Sequence, residues 1–362
     1  MSSLLPNAGI ARVYVLAVLV LAFVFIMSEA YILYLTKQGE KIINTNQWQI
    51  PEVQDAVSSS ITTYMVYNVL FILAQVYIIF LCLEALMYKN TIQVIAVIVF
   101  YIVCQTYTAA RYISFYVLPS LAARIFLRDR NMQLMQVSVM AMYAIALASL
   151  VVLSYKLKKD VGWSVFRKLG ADISLHRAYA WHQCLTILLK IDIYFVGSYL
   201  VQMTALILKA DDIETWLQIT VFIPFCIVVI VGAFYALYGE RRRLMIAIAS
   251  CIFLSVGYFI FKIVRVCDSS IVNKPGDPYA DNRPFIMITI VTCMLLVIAT
   301  GLASIKCIQN FDSGLKEAIA YDEMRIRHQK MYATAVPTDE KHESGRLLSS
   351  QDSPTRDRFA LD

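Results

Sequence analysis

The sequence predicts an all-α protein, a polytopic transmembrane helix bundle of about eight spans with a short disordered cytoplasmic tail. Three observations predict it. Charged residues make up 16% of the chain and apolar ones 59%, against roughly a quarter charged in a soluble domain. The apolar residues gather in long blocks of the length a helix needs to cross hydrocarbon, about 20 residues. Outside those blocks no segment is long enough to build a core of its own, and the last fifty or so residues are polar.

The blocks fall at residues 10–35, 59–87, 91–116, 132–154, 185–208, 215–238, 244–263 and 284–305, which makes residues 1–309 a transmembrane domain and 310–362 a tail. The first block is too long for a signal-peptide apolar region and no small-residue cleavage site follows it, so it reads as a retained span. Trp48 and Pro51 mark an interfacial turn after it, and Tyr88-Lys89-Asn90 a tight turn after the second block. Pro119 ends the third. In the fourth, Ala141, Ala144 and Ala148 recur three and four apart, a spacing that lets a neighbouring helix approach closely. Pro224 predicts a kink in the sixth, and Pro275, Gly276 and Pro278 an irregular connection before the eighth.

The stretch from Tyr155 to Gln202 is the least ordinary part. It opens as a basic segment, passes a Gly170-Ala171-Asp172 break and enters an apolar helix that still carries Lys190 and Asp192. The expectation is a cytoplasmic loop lying along the membrane, with Lys158, Lys159, Arg167, Lys168 and Arg177 against anionic headgroups. Trp163 and Trp181 would sit at the interface.

Orientation follows from Lys and Arg. The loops carry equal numbers on the two sides, but the tail adds Lys306 through Arg358 to the side of both termini, and tight clusters at Lys156–Lys159 and Arg241–Arg243 lie there too. Both termini are therefore expected in the cytoplasm. Positives that flank membrane blocks point to lipid headgroups rather than nucleic acid, and the net charge is a modest +6. The eight cysteines form no Cys-x-x-Cys pair and no cluster with the four histidines, so neither a metal site nor a disulfide framework is expected. The motifs of metalloproteases, hydrolases, phosphate-binding loops and acyltransferases are absent from the sequence, so no enzyme and no cofactor is expected. No Asn-x-Ser/Thr sequon occurs.

Ionisable residues inside spans are expensive and suggest function. Glu29 and Asp192 are the strongest, being too short to snorkel, and with Arg111 they are the candidate ligand or ion pathway. Glu84, Lys190 and Arg111 lie close enough to block ends to be read as interfacial. Lys190 and Asp192 stand two positions apart, on nearly opposite helix faces, and so are not each other's partner. Asn68, Gln75, Gln105 and Gln202 are expected to bridge helices. In the tail, a helix is expected over residues 315–331 and disorder from Ala335 on. Glu343, Leu347 and Leu348 form an acidic dileucine pattern, of the kind a clathrin adaptor reads in a flexible segment.

Gly162-Trp163, Lys168 to Asp172, Leu188 to Phe195, Val201-Gln202 and the run from Asn310 to Lys316 resemble the signature of an uncharacterised family of fungal Golgi-apparatus multi-pass membrane proteins. The resemblance implies a Golgi membrane location and a family with no assigned activity, and it supplies no catalytic or ligand residue; cycling through endosomes is a separate expectation, tied to the tail's sorting pattern. Three function classes remain. One is a trafficking or organising protein that works through its cytoplasmic loop and tail; the second is a transporter or channel for a small solute or ion with the intramembrane acids on its path; the third, a seven-helix-like receptor, fits least, since an even number of spans puts both termini on one side.

Overall fold

The structure, a computed structural model, describes residues 8–45, 51–87, 91–113, 130–169, 173–206, 216, 218–268 and 283–311. Among them there is no strand. The chain divides into Met1–Ser313 and Gly314–Asp362, and the second unit, with the expected tail helix and Glu343, Leu347 and Leu348, lies outside the described residues.

Among its described residues the first unit has eight α-helices: α1 (Ala8–Thr45), α2 (Pro51–Met87), α3 (Thr91–Tyr112), α4 (Arg130–Leu169), α5 (Ile173–Leu206), α6 (Ile223–Tyr238), α7 (Arg242–Cys267) and α8 (Arg283–Asn310). A five-residue π-helical turn, Gln218–Phe222, leads into α6. All eight are long and apolar enough to cross a membrane. In hydrocarbon a backbone must satisfy its own polar groups, and an uninterrupted helix does so.

The helices pack as two groups of four. In the first, α1 touches α2 and α4, and α3 touches the same two; in the second, α5 touches α6 and α8, and α7 touches the same two. Each group is therefore a ring of four sequence-consecutive helices. The rings meet where α5 packs on α2 and α3, and α8 on α3. Apolar side chains stand exposed around the outside, among them Leu16, Phe23, Ile145, Val228, Leu254 and Leu295. Rings of aromatic and small residues fill the inside, as in the stack of Phe25 on Tyr143 with centroids 3.9 Å apart. An apolar exterior is what lipid requires and what a water-soluble bundle avoids.

Three expectations are corrected. The basic stretch after Tyr155 is not a loop along the membrane: α4 continues unbroken through Leu169, and α5 begins at Ile173. The segment holds Lys, Leu, Arg and Val with no proline, so nothing stops the helix before the Gly170-Ala171-Asp172 break. Lys158, Lys159, Arg167 and Lys168 thus lie on α4, while Arg177 lies exposed early in α5. Helices α1 and α2 likewise run past the predicted block edges, to Thr45 and back to Pro51. At Pro224 the chain forms the π turn and then a fresh helix start, with the proline in the first turn of α6. A proline there lacks only an N–H that a helix start leaves unbonded anyway.

Two glycines test the packing. A Cβ on Gly301 of α8 would come within 2.9 Å of Phe253 Cζ on α7, whereas one on Gly257 would meet nothing within 4 Å. Gly301→Leu is therefore expected to destabilise the purified protein by about 1–3 kcal/mol. Gly257→Ala should be neutral or stabilising by up to about 1 kcal/mol. Thermal unfolding in detergent micelles measures both.

Candidate functional site

The polar residues inside the bundle form three sets, each held by different helices.

The first lies within the first ring. Arg111, one residue before the end of α3, and Glu29 of α1 are both wholly buried. They form a two-pronged pair, with Arg111 Nη2 2.8 Å from Glu29 Oε1 and Nη1 3.0 Å from Oε2. Nη1 also donates to Asn68 Oδ1 on α2 at 2.8 Å. The guanidinium lies over the Phe71 ring, 4.6 Å from its centroid, and 5.6 Å from that of Tyr64. Tyr64 in turn donates to Gln136 Oε1 on α4 at 3.1 Å, and Gln75 Nε2 donates to the Tyr143 hydroxyl at 2.7 Å. One planar cation thus ties α3 to α1 and α2, and the two Tyr–Gln bonds tie α2 to α4. A bidentate fork suits arginine and carboxylate and holds them in one geometry. Arg111, expected at the interface, is instead buried, because its partner lies inside α1.

The second set joins the two rings. Lys190 on α5 pairs with Glu84 on α2, and Glu84 Oε2 also accepts from Gln93 Nε2 of α3 at 2.9 Å. The Tyr77 hydroxyl donates to the carbonyl of Lys190, and that of Tyr194 to the carbonyl of Leu70 at 2.8 Å. Tyr77, Phe100, Tyr194 and Phe195 pack ring against ring, with centroids between 5.0 and 5.5 Å for the Tyr194 and Phe195 contacts across the seam. Further along, Tyr107 donates to Thr289 Oγ1 at 2.6 Å, within 2.8 Å of Gln202 Oε1. Glu84 and Lys190 were expected as separate interfacial chains. They are instead each other's partner, a pairing 106 residues apart in sequence.

The third set lies inside the second ring. Asp192 projects from α5 opposite Lys190 and is 5% exposed. Its Oδ2 accepts from Thr300 Oγ1 of α8 at 2.6 Å, while its Oδ1 has no partner. It lines a cavity of about 50 Å³ with Leu189, Val196, Phe222, Cys226, Ser255 and Thr300 among its walls. Leu189, Asp192 and Val196 stand three and four apart, the one α5 face that looks into this ring.

The predicted pathway residues are therefore not on one surface. Glu29 and Arg111 are brought together in the first ring; Asp192 stands in the second and lines a different space. Asn68, Gln75 and Gln202 bridge helices as expected. Sequence reasoning missed Thr300 and Ser255, which look like ordinary hydroxyls of an apolar helix. Lys262, in the last turns of α7, is 2% exposed, its ammonium 5.7 Å from the Tyr258 ring centroid. No group of three or more His, Cys, Asp or Glu able to hold a metal occurs among the described residues.

Removing one partner of a buried ion pair leaves a bare charge and costs about 3–5 kcal/mol, whereas removing both for apolar groups of similar volume costs far less. Arg111→Met should therefore destabilise the protein strongly, and the double change Glu29→Leu with Arg111→Met should recover most of the loss. A double-mutant cycle on thermal unfolding in micelles measures it. Equal losses in the single and double variants would contradict the pairing.

Comparison with known proteins places this arrangement. No family model and no solved structure matches the chain. A UPF0658 Golgi apparatus membrane protein of Schizosaccharomyces pombe is 24% identical over 279 residues, covering 68% of this chain and 76% of the relative. The chain is a multi-pass membrane protein, similar over about two thirds of its length to a relative of the UPF0658 Golgi membrane family, whose function is unassigned.

Proposed function

We propose that the chain is a Golgi membrane protein that acts in membrane trafficking or organisation through partners on its cytoplasmic side. One observation carries this reading: four charges inside the helices are tied up in structural pairs, Glu29 with Arg111 and Glu84 with Lys190. Those pairs hold helices together and leave the outward-reaching parts of the chain to make contacts. The basic end of α4, with Lys158, Lys159, Arg167 and Lys168, and Arg177 at the start of α5 supply a surface suited to anionic lipid. The similarity to a Golgi membrane protein supports the compartment. Both termini in the cytoplasm, the side richer in Lys and Arg, would put the dileucine pattern of Glu343, Leu347 and Leu348 within reach of clathrin adaptors, with cycling through endosomes as the result.

A transport reading, with Glu29, Arg111 and Asp192 along one path, is supported less. Transporter sites gather their polar residues at one midplane cavity, and here only Asp192 faces the cavity of the second ring.

Replacing Leu347 and Leu348 with alanine in a fluorescently tagged full chain should shift it from Golgi puncta to another compartment in yeast cells. An unchanged distribution, with unchanged protein level, would remove the adaptor from this reading.

A further inference from the structure

Asp192 is the one acid inside the described helices that is both buried and without a cation beside it. Glu29 has Arg111 and Glu84 has Lys190; Asp192, which lines the cavity, has a single hydroxyl hydrogen bond and an unpartnered Oδ1. An ionised carboxylate in such surroundings needs a counter-charge or a proton.

The hydroxyls around it decide between them. Thr300 gives its only hydrogen to Asp192 Oδ2, at 2.6 Å. Ser255 gives its only hydrogen to the Ile252 carbonyl of its own helix, also at 2.6 Å. A hydroxyl has one hydrogen and two lone pairs, so both groups turn acceptors alone toward the space. The cavity thus holds three hard oxygen acceptors and no oxygen-bound donor, with the Cys226 thiol as the one weak exception. The rest of its wall is apolar, including Phe222, which stacks on Tyr258 at 4.1 Å and follows the π turn. Its volume of about 50 Å³ is room enough for an ion and its waters. All three contributing positions fall well inside their spans, Asp192 and Ser255 near the middle of α5 and α7.

We propose that Asp192, Ser255 and Thr300 form an intramembrane binding site for one small monovalent cation, of the Na⁺ or Li⁺ class. Hard oxygen donors suit such ions, and a single carboxylate balances one positive charge but not two. The site stands apart from the trafficking reading and needs none of its residues.

The full chain, purified in micelles, tests it by thermal unfolding in NaCl, LiCl or KCl against N-methyl-D-glucamine chloride at equal ionic strength. A cation bound only by the folded state raises Tm with its concentration until the site saturates. The wild type should gain several degrees in NaCl or LiCl. Asp192→Asn keeps an oxygen for Thr300 and should lose the gain. Ser255→Ala, which keeps the carboxylate, should shift the midpoint of the NaCl titration several-fold higher, and it stands in if the Asn variant does not fold. No cation-specific gain in the wild type would overturn the site and leave Asp192 a neutral acid. A gain unchanged in both variants would place the ion elsewhere and overturn it equally.

Discussion

Glu29 and Arg111 can sit where they do only together. Neither side chain reaches water, and either alone would be an unbalanced charge in a medium that cannot screen it. Their fork fixes the rotation of α1 against α3. Asn68, bound to the same guanidinium, fixes α2, and the Tyr64–Gln136 bond carries the constraint on to α4. In lipid there is no hydrophobic force pressing apolar helices together, so packing and such bonds do that work. The first ring is in this sense organised around one arginine.

Helix α5 is where the two rings share a wall, and its sequence is divided accordingly. Residues Lys190, Tyr194 and Ser198 look toward α2 and α3; Leu189, Asp192 and Val196 look toward α6, α7 and α8. The two charges of α5, two positions apart, therefore answer to different rings. A helix with polar groups on both faces cannot turn to lipid on either, which is why α5 is the most enclosed of the eight spans.

The class of fold, the number of spans and their approximate places were legible because the membrane imposes a length and a polarity that no soluble core imitates. The family resemblance rested on the same central stretch that the structure makes the shared wall. What was not legible is who faces whom. Arg111 near a block end has the composition of an interfacial residue, and only the position of α1 in space shows that Glu29 is waiting for it. Lys190 and Glu84 are related by no local spacing at all. Helix ends beyond the membrane were also underestimated: a hydropathy boundary marks where lipid stops, not where hydrogen bonding along the backbone stops. The orphaned oxygen of Asp192 was beyond sequence reasoning for a different cause, since it depends on which hydroxyls have already committed their hydrogens.

The continuation of α4 past its apolar span changes what kind of object the chain presents beyond the membrane. The apolar span closes at Lys156 and the helix runs on to Leu169, about 20 Å at the rise of an α-helix. A loop of that length would sample many shapes and lose entropy whenever it was gripped. A continuous helix instead has its backbone already ordered, so a molecule that docks on it does not have to fold it first.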